Sequence, residues 1–375
     1  MKITMGLTHD CNLSCKYCYA GVKSKREMSF GTAKKIVDFG ITSTPPEEKI
    51  DFSFFGGEPL LCFNLIKRIV EYINSIKPHF KNIHSINITT NGILLTELIL
   101  TFIKENKINL CISIDGPSHV HNLNRCYSDG QGSFRKTFRN LILALKILDN
   151  VQVNAVYGPD TIDFLPETIE FFSQFDISGI HLNPNIVTIW DINIYPKLYK
   201  NFKKVADFYI ECYRHDHEIT INVFDSKILL FLKGGYDLRE KCTMGEKEWG
   251  FAPSGNIYPC ERFIGDDNDI KFILGNIHTG LNETSRCSLL KHRGNSNNKC
   301  IICENQKFCM NWCGCTNYFL SGHTDLVGEM MCENEKAIIQ AAKHVLIELK
   351  KNHLFLDHFF GYIHESRQSF INYHF

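Results

Sequence analysis

The stretch THDCNLSCKYCYAG, residues 8–21, sets Cys11, Cys15 and Cys18 in a C-x3-C-x2-C pattern with Tyr19 directly after the third thiol. Positions 11, 15 and 18 stand at i, i+4 and i+7, so a packed helical stripe is one reading. Two features of the context weigh against it. The alternating segment KITMGLT ends just before as a strand would, and HDCN has the chemistry of a loop. A zinc site with a distant fourth ligand is a second reading. A third is geometric: three thiolates on one tight loop can hold three irons of a cubane cluster and leave the fourth iron to a small molecule.

Outward from this loop the chain alternates between strand and helix patterns. KITMGLT, IDFSFFGG, SINITTNG, NLCISIDG, VQVNAVYG and GIHLNPNI carry short apolar runs that end in Gly, Asn, Pro or polar residues. FGTAKKIVDFG, NLIKRIVEYINSI, ELILTFIKEN, FRKTFRNLILALKIL and FLPETIEFFSQF repeat apolar residues at helical spacing. Six strand-then-helix units in a row predict a parallel sheet, doubly wound or curled into a partial (β/α)6 barrel, with function on loops at the carboxyl ends of strands. From about residue 235 Gly, Asn and Cys become frequent, until NEKAIIQAAKHVLIELKK predicts an amphipathic helix. We expect a barrel domain over 1–234, a cysteine-rich domain over 235–334, and a terminal helix with an aromatic tail over 335–375.

Composition narrows the class. Forty-one Lys and Arg balance 41 Asp and Glu, so no net field argues for nucleic acid or an anionic membrane as partner. No unbroken apolar run has the length of a membrane span or a secretory signal, and a cytoplasmic protein is expected. Sixteen cysteines in 375 residues, without an export signal, then point to metal or catalysis rather than disulfides. Cys62, Cys111, Cys126 and Cys212 fall in strand or helix patterns and read as ordinary buried small residues.

Cys11, Cys15 and Cys18, together with Gly56-Gly57-Glu58-Pro59 after the next strand, resemble the radical S-adenosylmethionine (SAM) enzymes. The resemblance implies a [4Fe–4S] cluster on the three thiolates whose fourth iron binds the amine and carboxylate of SAM. It implies cofactor-side roles for Tyr17 within the loop and Tyr19 after it, and for Gly56, Gly57 and Glu58 beside the methionyl amine. In ISIDGP it assigns Ser113 and Asp115 to the ribose and substrate, with Asp115 as an expected catalytic carboxyl, and in HNLNR it assigns Arg125 to the methionyl carboxylate. ITTNG (Thr89, Thr90, Asn91) would line the same cavity. Electron transfer from the reduced cluster would split the sulfonium, and the 5′-deoxyadenosyl radical would take a hydrogen atom from the substrate.

A second field, C-x12-G-x4-C then C-x2-C-x5-C-x3-C then C, runs through Cys242, Gly255, Cys260, Cys300, Cys303, Cys309, Cys313 and Cys332. A zinc ribbon could use four of these residues. The full order resembles the extension of SPASM-type radical SAM enzymes. That resemblance implies two auxiliary [4Fe–4S] clusters, one on Cys300, Cys303, Cys309 and Cys332, the other on Cys242, Cys260 and Cys313. The latter set is one thiol short. Either Cys287 or Cys315 completes it, or the iron stays open for a substrate thiolate. Glu261 takes the place of an aspartate that serves as base in sulfatase-maturing relatives, and a glutamate paired with Arg262 is the alternative reading.

The resemblance further implies a peptide or small-protein substrate and an electron donor such as flavodoxin or ferredoxin. Ten residues before Cys11 leave no room for a leader-binding module, so the peptide is expected to be gripped elsewhere. Two reactions stay open: formation of a thioether or carbon–carbon cross-link, and oxidation of Cys or Ser to formylglycine.

Overall fold

A computed structural model describes residues 1–237, 240–291 and 297–351. The aromatic tail from 353 onward lies outside the described residues. Along the chain, β1 (Lys2–Gly6) leads through the cysteine loop to α1 (Phe30–Ser43) and β2 (Ile50–Phe55). Then follow α2 (Phe63–Ile76), β3 (Ile83–Thr90), α3 (Glu97–Glu105), β4 (Asn109–Ser113), α4 (Ser118–Asn124) and α5 (Phe134–Ile147). β5 (Val151–Tyr157), α6 (Leu165–Phe172), β6 (Gly179–Pro184), α7 (Tyr195–Arg214) and α8 (Asn222–Lys233) complete the alternating part. All six predicted strands and the helices between them are present. The cysteine-rich part adds β7 (Glu248–Phe251), β8 (Asn256–Tyr258), β9 (Gly275–Asn276), β10 (Gly280–Leu281), α9 (Glu283–Lys291), α10 (Asn298–Ile301), α11 (Gly314–Ser321) and α12 (Glu329–Leu349).

The chain divides into two compact units: Met1–Ile114, His121–Val151 and Thr243–His292 form one, while Asp115–Val120, Gln152–Cys242 and Arg293–Phe375 form the other. In the first, β1, β2, β3 and β4 are parallel neighbours in sequence order. β7 pairs parallel on the free side of β1, and β8, β9 and β10 follow antiparallel. Ile3 and Met5 of β1 and Phe52 and Phe54 of β2 are fully buried. These residues stand two apart, on one face of each strand, as the alternating sequence requires. Ser29 caps α1 by accepting the Thr32 N–H at 3.0 Å.

In the second unit β5 and β6 are parallel, and α12 packs against α7 and α8. Three consecutive polar residues of α12 each hold a different element. Glu333 accepts from Tyr199 of α7 at 2.8 Å, Asn334 from Tyr157 of β5 at 2.7 Å, and Glu335 from Lys227 of α8 at 2.7 Å. The helix starts five residues before the sequence pattern suggested, because Met330 and Met331 are buried in its first turn. MMCE gave no periodic signal of its own.

Asp225 of α8, 3% exposed, accepts from the Ile221 N–H at 2.7 Å and from Tyr209 at 3.1 Å. Burial nevertheless raises its carboxyl from 3.8 to about 7. A raised carboxyl contributes stability that is full below pH 3.8 and is lost as pH rises through about 7. We therefore expect urea stability to fall between about pH 5 and about pH 8 by ~2–4 kcal/mol on account of this group. Asp225→Asn should flatten that slope in urea titrations across the range. A variant with the wild-type slope would contradict the assignment.

Candidate active site

The cysteine loop is braced from two sides. Gly57 N–H donates to the Thr8 carbonyl at 2.8 Å and Glu58 N–H to the Asp10 carbonyl at 2.9 Å, so the end of β2 is stitched to the root of the loop. From the other side, Ser14 N–H donates to the Cys126 carbonyl at 2.6 Å and Lys16 N–H to the Asn124 carbonyl at 3.0 Å. The glycines are required by this stitch. A Cβ on Gly57 would lie 2.1 Å from the Asp10 carbonyl oxygen, and one on Gly56 (φ +126°) 2.5 Å from that of Thr8. The close approach expected toward a ligand is thus, in the first place, an approach to the chain's own backbone.

Glu58 is 1% exposed and its carboxylate is heavily engaged. Oε1 accepts from Leu60 N–H at 3.0 Å and from the Thr90 hydroxyl at 2.6 Å; Oε2 accepts from Asn91 N–H at 2.8 Å. Burial pushes this carboxyl up, and the three donors oppose that shift. Two oxygens offer about four acceptor directions, so one on Oε2 remains for an amine. Asn91 carries the network onward, its amide donating to Asn12 Oδ1 at 2.7 Å and to Cys11 Sγ at 3.8 Å. Leu13 N–H reaches the same sulfur at 3.4 Å. Behind Asn91, Thr137 donates to its carbonyl at 3.1 Å and Asn140 to that of Gly92 at 2.7 Å. Asn12, Thr137 and Asn140 escaped the sequence reading. Only TTNG hinted at a polar strand end here.

Among the other residues expected on the cofactor side, the buried Arg125 guanidinium lies over the Tyr17 ring, 5.3 Å from its centroid. Tyr19 stacks on Phe55, the last residue of β2. Ser113 is buried at the end of β4. Asp115 belongs to the second unit, is 3% exposed, and accepts from the Val156 N–H of β5 at 3.0 Å. Glu261 accepts from the Cys260 thiol at 3.3 Å. Burial pushes its carboxyl up, but Lys2 and Arg262, together with hydrogen bonds from its own backbone N–H and from Cys260, hold it below the usual value. Both expected catalytic carboxyls are therefore already engaged within the protein.

In the second unit, Cys300, Cys303, Cys309 and Cys332 line one cavity, with Lys336 and Asn311 on its wall. These are the four thiols grouped from the sequence, and α10, the turn after it and the first turn of α12 bring them together. Cys313 and Cys315 are buried with their sulfurs 3.6 Å apart, whereas Cys287 is exposed on α9 of the first unit. Cys242 and Cys313 belong to the second unit and Cys260 to the first. Cys62 and Cys212 are buried as expected; Cys111 and Cys126 are only half-buried.

All these cysteines are free thiols. Among the described residues, no three His, Cys, Asp or Glu side chains are drawn together as a single metal ion would require. The ligands of a cubane stand around a larger body, and the donor chemistry fits one. Three thiols share one braced loop, Cys11 has two N–H donors at its sulfur, and four more thiols share one cavity.

The stitch yields a direct contrast. Gly57→Ala should cost about 1–3 kcal/mol from the forced shift of backbone at Asp10. Gly31→Ala in α1, where a Cβ would meet nothing closer than Ser29 Oγ at 3.8 Å, should be neutral or slightly stabilising. Thermal midpoints of the two variants check this, and equal midpoints would refute the stitch.

Residues 5–172 match the model of the Radical SAM superfamily. An uncharacterized protein of Methanocaldococcus jannaschii is 32% identical over 179 residues, 48% of this chain and 60% of that protein. The cysteine-type anaerobic sulfatase-maturating enzyme of Clostridium novyi is 27% identical over 323 residues, 81% of this chain and 85% of that enzyme. The radical SAM cyclopropyl synthase TigE of Paramaledivibacter caminithermalis is 25% identical, covering 93% of this chain and 74% of that enzyme. The solved structure of native anSMEcpe with bound AdoMet and Cp18Cys peptide superposes with a TM-score of 0.79 at 22% identity, over 94% of this chain and 99% of that one. The fold is therefore the expected one, a partly parallel α/β sheet of the unclosed-barrel type followed by a cysteine-rich region. With its braced thiol loop, its second field of cysteines and these likenesses, the chain carries a radical SAM domain over residues 5–172, of a superfamily that works with a [4Fe–4S] cluster and S-adenosylmethionine.

Proposed function

We propose that this protein modifies a side chain of a peptide or small protein, forming a thioether or carbon–carbon bond. The observation that carries this reading is the pairing of a braced three-thiol loop with a separate cavity lined by four thiols. Cys11, Cys15 and Cys18 would hold the radical-site cluster; Cys300, Cys303, Cys309 and Cys332 one auxiliary cluster; Cys242, Cys260 and Cys313 the other. Of the two thiols considered to complete that last set, Cys315 is favoured over the exposed Cys287 by its sulfur contact with Cys313. In this reading residues 1–234 are the radical SAM barrel, 235–334 the SPASM-type domain and 335–375 the terminal helix and tail. A cytoplasmic setting and a flavodoxin- or ferredoxin-like donor complete it. Among the described residues no helix is long and apolar enough to cross a membrane.

When bound, the cluster and SAM supply one-electron cleavage of a sulfonium and removal of a substrate hydrogen atom. The chain's own residues bind and orient. The last acceptor direction of Glu58 and the backbone at Gly56 and Gly57 receive the methionyl amine, Arg125 its carboxylate, and Ser113 and Asp115 the ribose side, with Tyr17 and Tyr19 packing nearby. Thr90 and Asn91 keep Glu58 in place, and the buried wall around them excludes water.

Glu261 favours bond formation over formylglycine synthesis. A carboxylate held ionised by Lys2 and Arg262, and taking a thiol hydrogen bond, is a weaker base than a free one. The second reading, oxidation of Cys or Ser to formylglycine, is supported by the likeness to the sulfatase-maturating enzyme along most of both chains.

Co-expression with peptides from adjacent reading frames, followed by tandem mass spectrometry, separates the two. Bond formation predicts loss of two hydrogens, two residues that stay joined on fragmentation, and no carbonyl reactive toward hydroxylamine. A hydroxylamine-reactive aldehyde would overturn it in favour of formylglycine. Glu261→Gln should leave the modification rate within about threefold of wild type, and a loss of about 100-fold or more would restore Glu261 as base. Cys315→Ala should remove about one cluster of iron while Cys287→Ala removes none. Retention of full iron by Cys315→Ala would return the open-iron alternative.

A further inference from the structure

Lys227 of α8 and Glu335 of α12 form an ion pair at 2.7 Å, with side chains only 3% and 4% exposed. Neither residue was singled out from the sequence. Such a pair is an expensive way to join two helices, since both ions leave water and an apolar pair of similar volume would serve as well. Its remaining hydrogen bonds show where it acts. Lys227 Nζ donates to the Phe308 carbonyl at 2.8 Å, and Glu335 Oε2 accepts from the Met310 N–H at 2.6 Å. These groups belong to the two peptide planes on either side of Cys309. The ammonium also lies over the Tyr236 ring, 5.5 Å from its centroid.

We propose that Lys227 and Glu335 are positioning residues that fix the backbone of Cys309 so that its thiol faces the four-thiol cavity. Two rotations set the direction of a Cβ, and the pair holds the peptide plane on each side of Cys309. The same turn of α12 delivers Cys332 into the cavity three residues before Glu335 and Lys336 one residue after it. One helix turn thus carries one thiol and the clamp for another. Ligand sets are commonly oriented by such partners, whose loss weakens metal binding about 10–100-fold.

The inference rests on the auxiliary-cluster reading of Cys300, Cys303, Cys309 and Cys332, and the test separates the two. All variants are built on full-length protein carrying Cys11→Ala, Cys15→Ala and Cys18→Ala, so that reconstituted iron reports only on the second field. Cys300→Ala is the control: if it removes no iron, the auxiliary-cluster reading fails and the clamp with it. If it removes iron, Lys227→Met/Glu335→Gln decides. This uncharged pair should melt cooperatively like its parent, lose iron to a chelator about 10–100-fold faster, and show an altered electron paramagnetic resonance (EPR) signal from the reduced cluster. Lys227→Arg, which keeps the charge and the donors, should restore both. Should the double variant fail to fold, Glu335→Gln alone is measured in the same way. Parental chelation rate and parental EPR signal in the folded variant would overturn the proposal.

Discussion

The buried carboxylate of Glu58 is the joint on which the first unit depends. Its three donors come from the turn after β2 and from the end of β3, while the peptide just before it is bound to the root of the cysteine loop. A carboxyl with so little exposure is tolerated only because every donor is in place. Glutamine could not replace it freely, since its amide nitrogen would face an N–H or hydroxyl that now donates. Two strand ends are thereby fixed by one side chain, and the backbone of the same residue ties them to the loop.

This joint explains how rigid strands serve a site built on loops. β1 and β2 are parallel and neighbouring, so their carboxyl ends lie side by side, and the two glycines let the backbones meet without intervening side chains. Asn91 extends the same network to the sulfur of Cys11. The second unit applies the same logic with a different tool: a buried ion pair there takes the role that a lone carboxylate has in the first. In both, polar groups removed from water are spent on backbone beside a cysteine.

Much of this was legible beforehand because it is written in local periodicity and spacing. IDFSFFGG and SINITTNG are apolar runs with abrupt glycine or asparagine ends, and both became strands ending at the site. The thiol groupings were legible as spacing, and four of the cysteines do share a cavity. The partners of the site were not. Asn140 and Thr137 sit on α5 among apolar positions, and nothing in FRKTFRNLILALKIL shows that two of its polar residues turn inward. Lys227 and Glu335 are separated by more than a hundred residues, and only packing of α8 on α12 reveals them as a pair. Nor does FFGGEP show that a side chain at Gly57 would collide with the Asp10 carbonyl. Long-range complementarity of this kind leaves no pattern in a single chain.

In the proposed function, Cys11, Cys15 and Cys18 hold an iron centre at which SAM docks. EPR spectroscopy of the anaerobically reconstituted, reduced protein, recorded with and without SAM, tests it most directly. The account predicts one cluster signal that changes on addition of SAM and that vanishes when the three cysteines are replaced together by alanine. A spectrum unaffected by SAM, or one unaltered by loss of the three thiols, would contradict it.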